Sequence, residues 1–235
     1  MTVRSQTAAT LSFAAAAAFL VLLAALHVIK SEMDPSWNMI SQYENGRFGW
    51  IMQVAFLCLA LSCASLVVAI GSQVRNIVGR IGLGLLVIAA TGMTIAAFAV
   101  TDAITTREAE RTAQGNLHGL GFAIGVPSVT IGIVLLSLSL RRNPAWASFR
   151  QALLWIAQLP WVALAATLAT IIVLLPRHGG KFGPGVFVGF PNRLFIIACC
   201  VWLMTAAWGA LRLRPSNNGP KRRELMSSRA VPTGD

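Results

Sequence analysis

His27, Asp102 and His118 are three residues of the types that ligate zinc. A catalytic zinc takes nitrogen and oxygen donors and keeps one position open for water, so these three side chains with a bound water would make a metal site. A histidine beside an aspartate is also what a general base requires. A serine such as Ser41 next to that pair is a candidate nucleophile, which makes Ser41, Asp102 and His118 the candidate catalytic residues. Glu32, Glu44 and Arg193 are charged groups suited to holding a ligand at the same end of the molecule.

The spacing puts these groups at comparable depth. Asp102 ends an apolar run, and His118 lies in the first turn of the next, in Gly115-Asn116-Leu117-His118. Two consecutive helices joined on one side bring both residues to that side. His27 falls about one turn before the end of the first run, and Arg193 opens the last. Asp34 followed by Pro35 reads as a helix start, which would set Trp37, Ile40, Ser41 and Glu44 on one face. The plain alternative to chemistry is Asp102 pairing with His118 or Arg193 to neutralise buried charge. No H-E-x-x-H or G-x-S-x-G motif is present.

The elements that must position these residues are membrane helices. Of 235 residues 56% are apolar and only 11% charged, and mean hydropathy is +0.68. An ordinary soluble domain carries about 25% charged residues. Six apolar runs, near residues 11–29, 48–71, 78–100, 117–140, 149–175 and 194–211, each reach the roughly 20 residues that a bilayer crossing needs. None alternates with period two, which excludes a barrel of strands. The fold class is all-α, a bundle of six transmembrane helices over residues 1–212. The first run exceeds the roughly 7–15 residues of a secretory signal and is read as a retained helix.

Basic residues set the orientation. With the N-terminus in the cytoplasm, twelve Lys and Arg fall inside and seven outside, so both termini are expected in the cytoplasm and the protein in the cytoplasmic membrane. The longer connections, 30–47, 101–116 and 176–193, are then outside, and any site is expected there. Residues 213–235 are expected to be a disordered basic tail drawn to anionic lipid, at roughly 1 kcal/mol per cation. That accounts for the net charge of +11 without nucleic acid. Gly115, Gly119, Gly121 and Gly125 predict a flat packing face on the fourth helix. Pro127 and Pro160 predict kinks. The four cysteines lie inside the second and sixth runs and read as small apolar side chains. The glycine-rich stretch 176–191 reads as a flexible outer lid or an interfacial loop.

These residues carry a resemblance. The chain resembles the bacterial and archaeal multi-pass proteins grouped as "domain of unknown function 998". The similar features are Asp34-Pro35 followed by Ile40-Ser41-Gln42-Tyr43, the aspartate Asp102 ending the third helix, Gly115-Asn116-Leu117-His118 opening the fourth, and Gly189 and Arg193 before and at the start of the sixth. Many members of that family have Glu where this chain has Gln42. The resemblance implies six helices and no known activity. The Ser, Asp and His pattern is also loosely similar to the intramembrane hydrolases that include alkaline ceramidases.

The expected function is that of an integral membrane protein whose polar Asp/His/Ser/Arg cluster binds a ligand or membrane lipid or has a structural role. The alternative is a metal-dependent hydrolase acting on a lipid. A small transporter, with Gln53 and Gln158 as midspan polar groups, comes third.

Overall fold

A computed structural model describes residues 3–213. The expected tail falls beyond them, apart from Leu213. Among the described residues there are helices, turns and loops and no strand. A backbone in lipid must satisfy its own hydrogen bonds, and helices do so within one segment. The α-helices are α1 (Val3–Ile29), α2 (Gly49–Ile70), α3 (Ile77–Phe98), α4 (Ala113–Leu140), α5 (Arg150–Ile156), α6 (Leu159–Arg177) and α7 (Gly189–Arg212). They supply six segments long and apolar enough to cross a membrane, with α5 and α6 together forming the fifth. This is the six-helix bundle that the hydropathy predicts. The first helix starts eight residues earlier than its apolar run.

The fifth crossing is broken. The break falls at Ala157 and Gln158, where the Gln158 N–H bonds the Trp155 carbonyl three residues back at 3.1 Å. Pro160 then sits in the first turn of α6, where its missing N–H leaves nothing unsatisfied. The expected kink is thus a short break just ahead of the proline. Pro127 leaves α4 continuous.

Helices α3 and α4 pack most closely, through glycine. A side chain at Gly92 would meet the Gly121 carbonyl at 2.6 Å, and one at Gly121 would meet the Gly92 carbonyl at 2.7 Å. Gly82 and Gly132 repeat this approach two to three turns further along. Of the four glycines expected to form one face, Gly121 and Gly125 pack on α3, Gly115 lies under Asp102, and Gly119 has nothing within 4 Å. Helix α1 is tied to α2 by a reciprocal pair: Ser12 Oγ donates to the Ser62 carbonyl and Ser62 Oγ to that of Ser12, each at 2.9 Å. Helix α7 packs on α1, α2 and α6. Helix α6 leans on α7 and runs beside α4 without packing along it.

We expect Gly121→Ala to force α3 and α4 apart and to lower stability by about 1–3 kcal/mol. Gly119→Ala should leave the melting temperature of the detergent-solubilised protein unchanged. Equal melting temperatures for the two variants would contradict this packing.

Candidate functional site

The rim opposite the start of α1 and the end of α7 carries the three longer connections. The first of them, residues 30–48, folds back into the bundle: Lys30, Asn38, Gln42, Tyr43 and Glu44 are all buried. The sequence expectation of a helix starting at Asp34 is corrected here. Asp34 Oδ1 accepts from the Ser36 N–H at 2.8 Å, which closes a turn. The helical part is a 3-10 segment at Ile40–Glu44. An aspartate side chain competes with helix geometry by bonding its own neighbouring backbone, and here it does so. Ile40 and Glu44 turn inward.

Arg193, at the start of α7, fastens this loop. Its Nε–H donates to His27 Nε2 at 2.8 Å. Its Nη1 donates to the Asn38 and Gly189 carbonyls at 2.6 and 3.0 Å, and its Nη2 to the Tyr43 hydroxyl at 3.2 Å. Gly189 must be glycine, because a Cβ there would lie 2.3 Å from the Pro35 carbonyl. Its N–H donates to the Ser36 carbonyl at 2.9 Å. Lys30 points inward as well and donates to the carbonyls of Tyr43 and Asn45. Burial holds its ammonium below the ordinary lysine value, against an opposing pull from Glu32. Both buried cations are therefore held by neutral oxygens and an imidazole.

Asp102 pairs with neither His118 nor Arg193. Its Oδ2 accepts from the Thr112 N–H at 2.9 Å and its Oδ1 from the Thr112 hydroxyl at 2.8 Å. The Thr112 hydroxyl in turn caps α4 by accepting from the Gly115 N–H at 2.9 Å. Asp102 thus pins the connection between α3 and α4. The carboxyl beside His118 is Glu44, whose Oε2 lies 3.3 Å from His118 Nδ1 and accepts from the Thr101 N–H at 3.0 Å. Its Oε1 is buried with no hydrogen-bond partner among the described residues. Burial pushes the Glu44 carboxyl up to about 8, with the Thr101 bond opposing.

His118 Nδ1 also lies 2.8 Å from the Ala99 carbonyl. A carbonyl can only accept, so Nδ1 carries the ring proton. Nε2 then holds the lone pair. No hydrogen bond to it is formed among the described residues, and the Ala96 carbonyl is a second backbone oxygen against the ring.

His118 lines a cavity of about 660 Å³. The floor and walls are apolar, with Phe56, Met93, Val126, Val129, Leu164 and Cys199. The mouth is polar: Ser41, Asp102, Arg111, Asn116, His118 and Asn192. Ser41, Arg111 and Asn116 make no side-chain bond to another described residue. The cavity runs along α4 from His118 to Val129, roughly 16 Å at 1.5 Å per residue. That is about half of a 30 Å hydrocarbon core. Leu120 and Phe122 of α4 and Leu168 of α6 line it while remaining exposed. The cavity therefore opens sideways between α4 and α6, the pair of neighbours that does not pack.

The expected zinc ligands are not brought together. His27 is occupied at both nitrogens, with Nδ1 on the Leu23 carbonyl at 2.7 Å and Nε2 on Arg193. Both Asp102 oxygens are on Thr112. Among the described residues no group of three or more His, Cys, Asp or Glu is placed to hold a metal. Of the expected ligand-holding charges, Arg193 and Glu44 lie behind the cavity wall, and Glu32 is exposed in the turn after α1. Sequence reasoning missed Asn116, Arg111 and Asn192 at the mouth. They are ordinary loop and helix-start residues, and only the separation of α4 from α6 makes them neighbours of one space.

Fold and site together define a six-span helical membrane protein with a side-opening cavity, apolar in its depth and polar at its mouth. The chain belongs to the family described as "Protein of unknown function (DUF998)", which matches residues 13–209. The match runs from about three turns into α1 nearly to the end of α7, so it reaches all six crossings. No curated protein matches the chain, and no solved structure does.

The raised Glu44 value has a signed consequence. Unfolded, the carboxyl ionises near 4.5; folded, near 8. The stability it contributes is therefore complete below about 4.5, falls as pH rises toward 8, and is lost above that. Thermal melts across this range should show a steeper fall for the wild type than for Glu44→Gln. Parallel curves would contradict the burial of a protonated carboxyl.

Proposed function

We propose that this protein binds a lipid-type amphiphile within the membrane, with one apolar chain in the cavity and the polar head at its mouth. The observation that carries the reading is the cavity itself. It has the volume of an ordinary ligand pocket, about 300–1,000 Å³, and the depth of one leaflet. It is reached sideways from the bilayer. A water-soluble ligand would not need the lateral opening. Ser41, Arg111 and Asn116 line its mouth and are free to meet a polar head.

We place both chain ends in the cytoplasm, which makes the mouth face the outer leaflet. The support is the excess of Lys and Arg on the side of the chain ends. A zinc-dependent hydrolase at this cavity would need ligands other than His27, Asp102 and His118 as a set.

Two measurements test this. A nitroxide-labelled lysophospholipid in nanodiscs should show an immobilised component with the wild type. Ala123→Trp, which fills the cavity from α4, should weaken binding about tenfold or more, equivalent to about 1.4 kcal/mol. No immobilised component with the wild type would refute the reading. For orientation, a reporter active only in the cytoplasm should work when fused after Arg212; activity only from a periplasmic-type reporter would reverse the sidedness.

A further inference from the structure

We infer that His118 is the general base of an ester-hydrolysing site at the boundary between the polar and apolar parts of the cavity, acting with water on a carboxylic ester of the bound amphiphile. This rests on the amphiphile-binding reading and names its substrate class. Three features of the geometry support it. First, His118 has the tautomer a base needs: the Ala99 carbonyl at 2.8 Å fixes the proton on Nδ1, which leaves the lone pair on Nε2, and the residue lines the cavity. Second, a carboxyl stands behind it, Glu44 Oε2 at 3.3 Å from Nδ1, fully buried and outside the cavity lining. Third, His118 divides the cavity. Arg111, Asn116 and Ser41 lie on its polar side, and Phe122, Val126 and Val129 on its apolar side. The ester groups of acyl lipids sit at that same division between head and chain.

The step balances with water alone. The water oxygen bonds to the ester carbonyl carbon as one of its protons passes to His118 Nε2. The tetrahedral adduct collapses, the bond from carbon to the alcohol oxygen breaks, and the leaving oxygen takes the proton back from Nε2. A fatty acid and an alcohol result. Ser41 makes no hydrogen bond to His118, and the step takes water as its nucleophile. Glu44 is a positioning residue: it touches the imidazole and not the substrate.

Glu44 also sets the direction of the pH dependence. A proton gained at Nε2 creates a buried cation, which an ionised Glu44 compensates and a neutral one does not. The groups facing Glu44 are the His118 ring from α4 and the Thr101 N–H after α3. Lys30 after α1 and Arg193 of α7 are the cations nearby, both bonded to the adjacent Tyr43. Asp102 is tied to Thr112. The rate should therefore rise with pH as Glu44 ionises, near 8.

The test uses the full chain in nanodiscs. Single-chain esters with anionic, zwitterionic and uncharged heads (lysophosphatidylglycerol, lysophosphatidylcholine and monoacylglycerol) report fatty-acid release by mass spectrometry. Their ether analogues, which cannot be hydrolysed, report binding. The wild type should release fatty acid from at least one ester. His118→Asn should lower kcat by about 100-fold or more while binding the matching ether within about twofold. Glu44→Gln should remove the rise in rate near pH 8 and keep binding. Binding of ethers without release from any ester overturns the hydrolysis and leaves the binding reading standing. Full activity in His118→Asn also overturns it. Failure to bind any ether overturns both.

Discussion

Burying polar groups beside lipid is the constraint on which the rest of this structure depends. Each polar group drawn into the bundle must find a partner there, because hydrocarbon offers none. The loop at residues 30–48 brings five polar or charged residues inside, and Arg193 ties two of them, Asn38 and Tyr43, to the helices. One guanidinium joins the end of α1 through His27, the loop through Asn38 and Tyr43, and the start of α7 through Gly189. A guanidinium does this better than an ammonium, since its donors diverge in a fixed plane. The loop is thereby held as part of the core, and Glu44 is delivered to His118 from a segment that sequence reading would leave in water.

The same constraint separates two carboxylates with similar surroundings in sequence. Asp102 meets solvent-side backbone and is fully paired, so its work is to fix the start of α4. Glu44 reaches the interior one partner short. Such a group is stable there as the neutral acid and is poised to ionise when a positive charge forms nearby. Fixing α4 by Asp102 and delivering Glu44 by the loop leave one edge of the His118 ring held and the other edge toward the cavity.

Much of this was legible in the chain. The six crossings follow from hydropathy and length alone, because bilayer thickness sets helix length. The importance of Arg193, His118 and Gly189 follows from charge at membrane depth and from motif order. The partnership of His118 was not legible. Neighbouring antiparallel helices place Asp102 and His118 at one depth, but depth says nothing about which face a side chain takes, and Thr112, ten residues on, captures Asp102 locally. Glu44 looked like a ligand-holding charge at the mouth, because a loop carboxylate is usually solvated. The cavity was invisible for a related reason. It exists where α4 and α6 fail to pack, and no residue type signals a missing contact.

The central claim is that His118 presents an unprotonated Nε2 to the cavity while Nδ1–H is held by Ala99 with Glu44 beside it. Nitrogen-15 solid-state NMR of histidine-labelled protein in lipid bilayers reads this directly. Near neutral pH the His118 signals, assigned by their loss in a His118 variant, should show a protonated Nδ1 and an unprotonated Nε2, and the Nδ1 shift should respond to Glu44→Gln. A ring protonated at Nε2, or one indifferent to Glu44, would contradict the account.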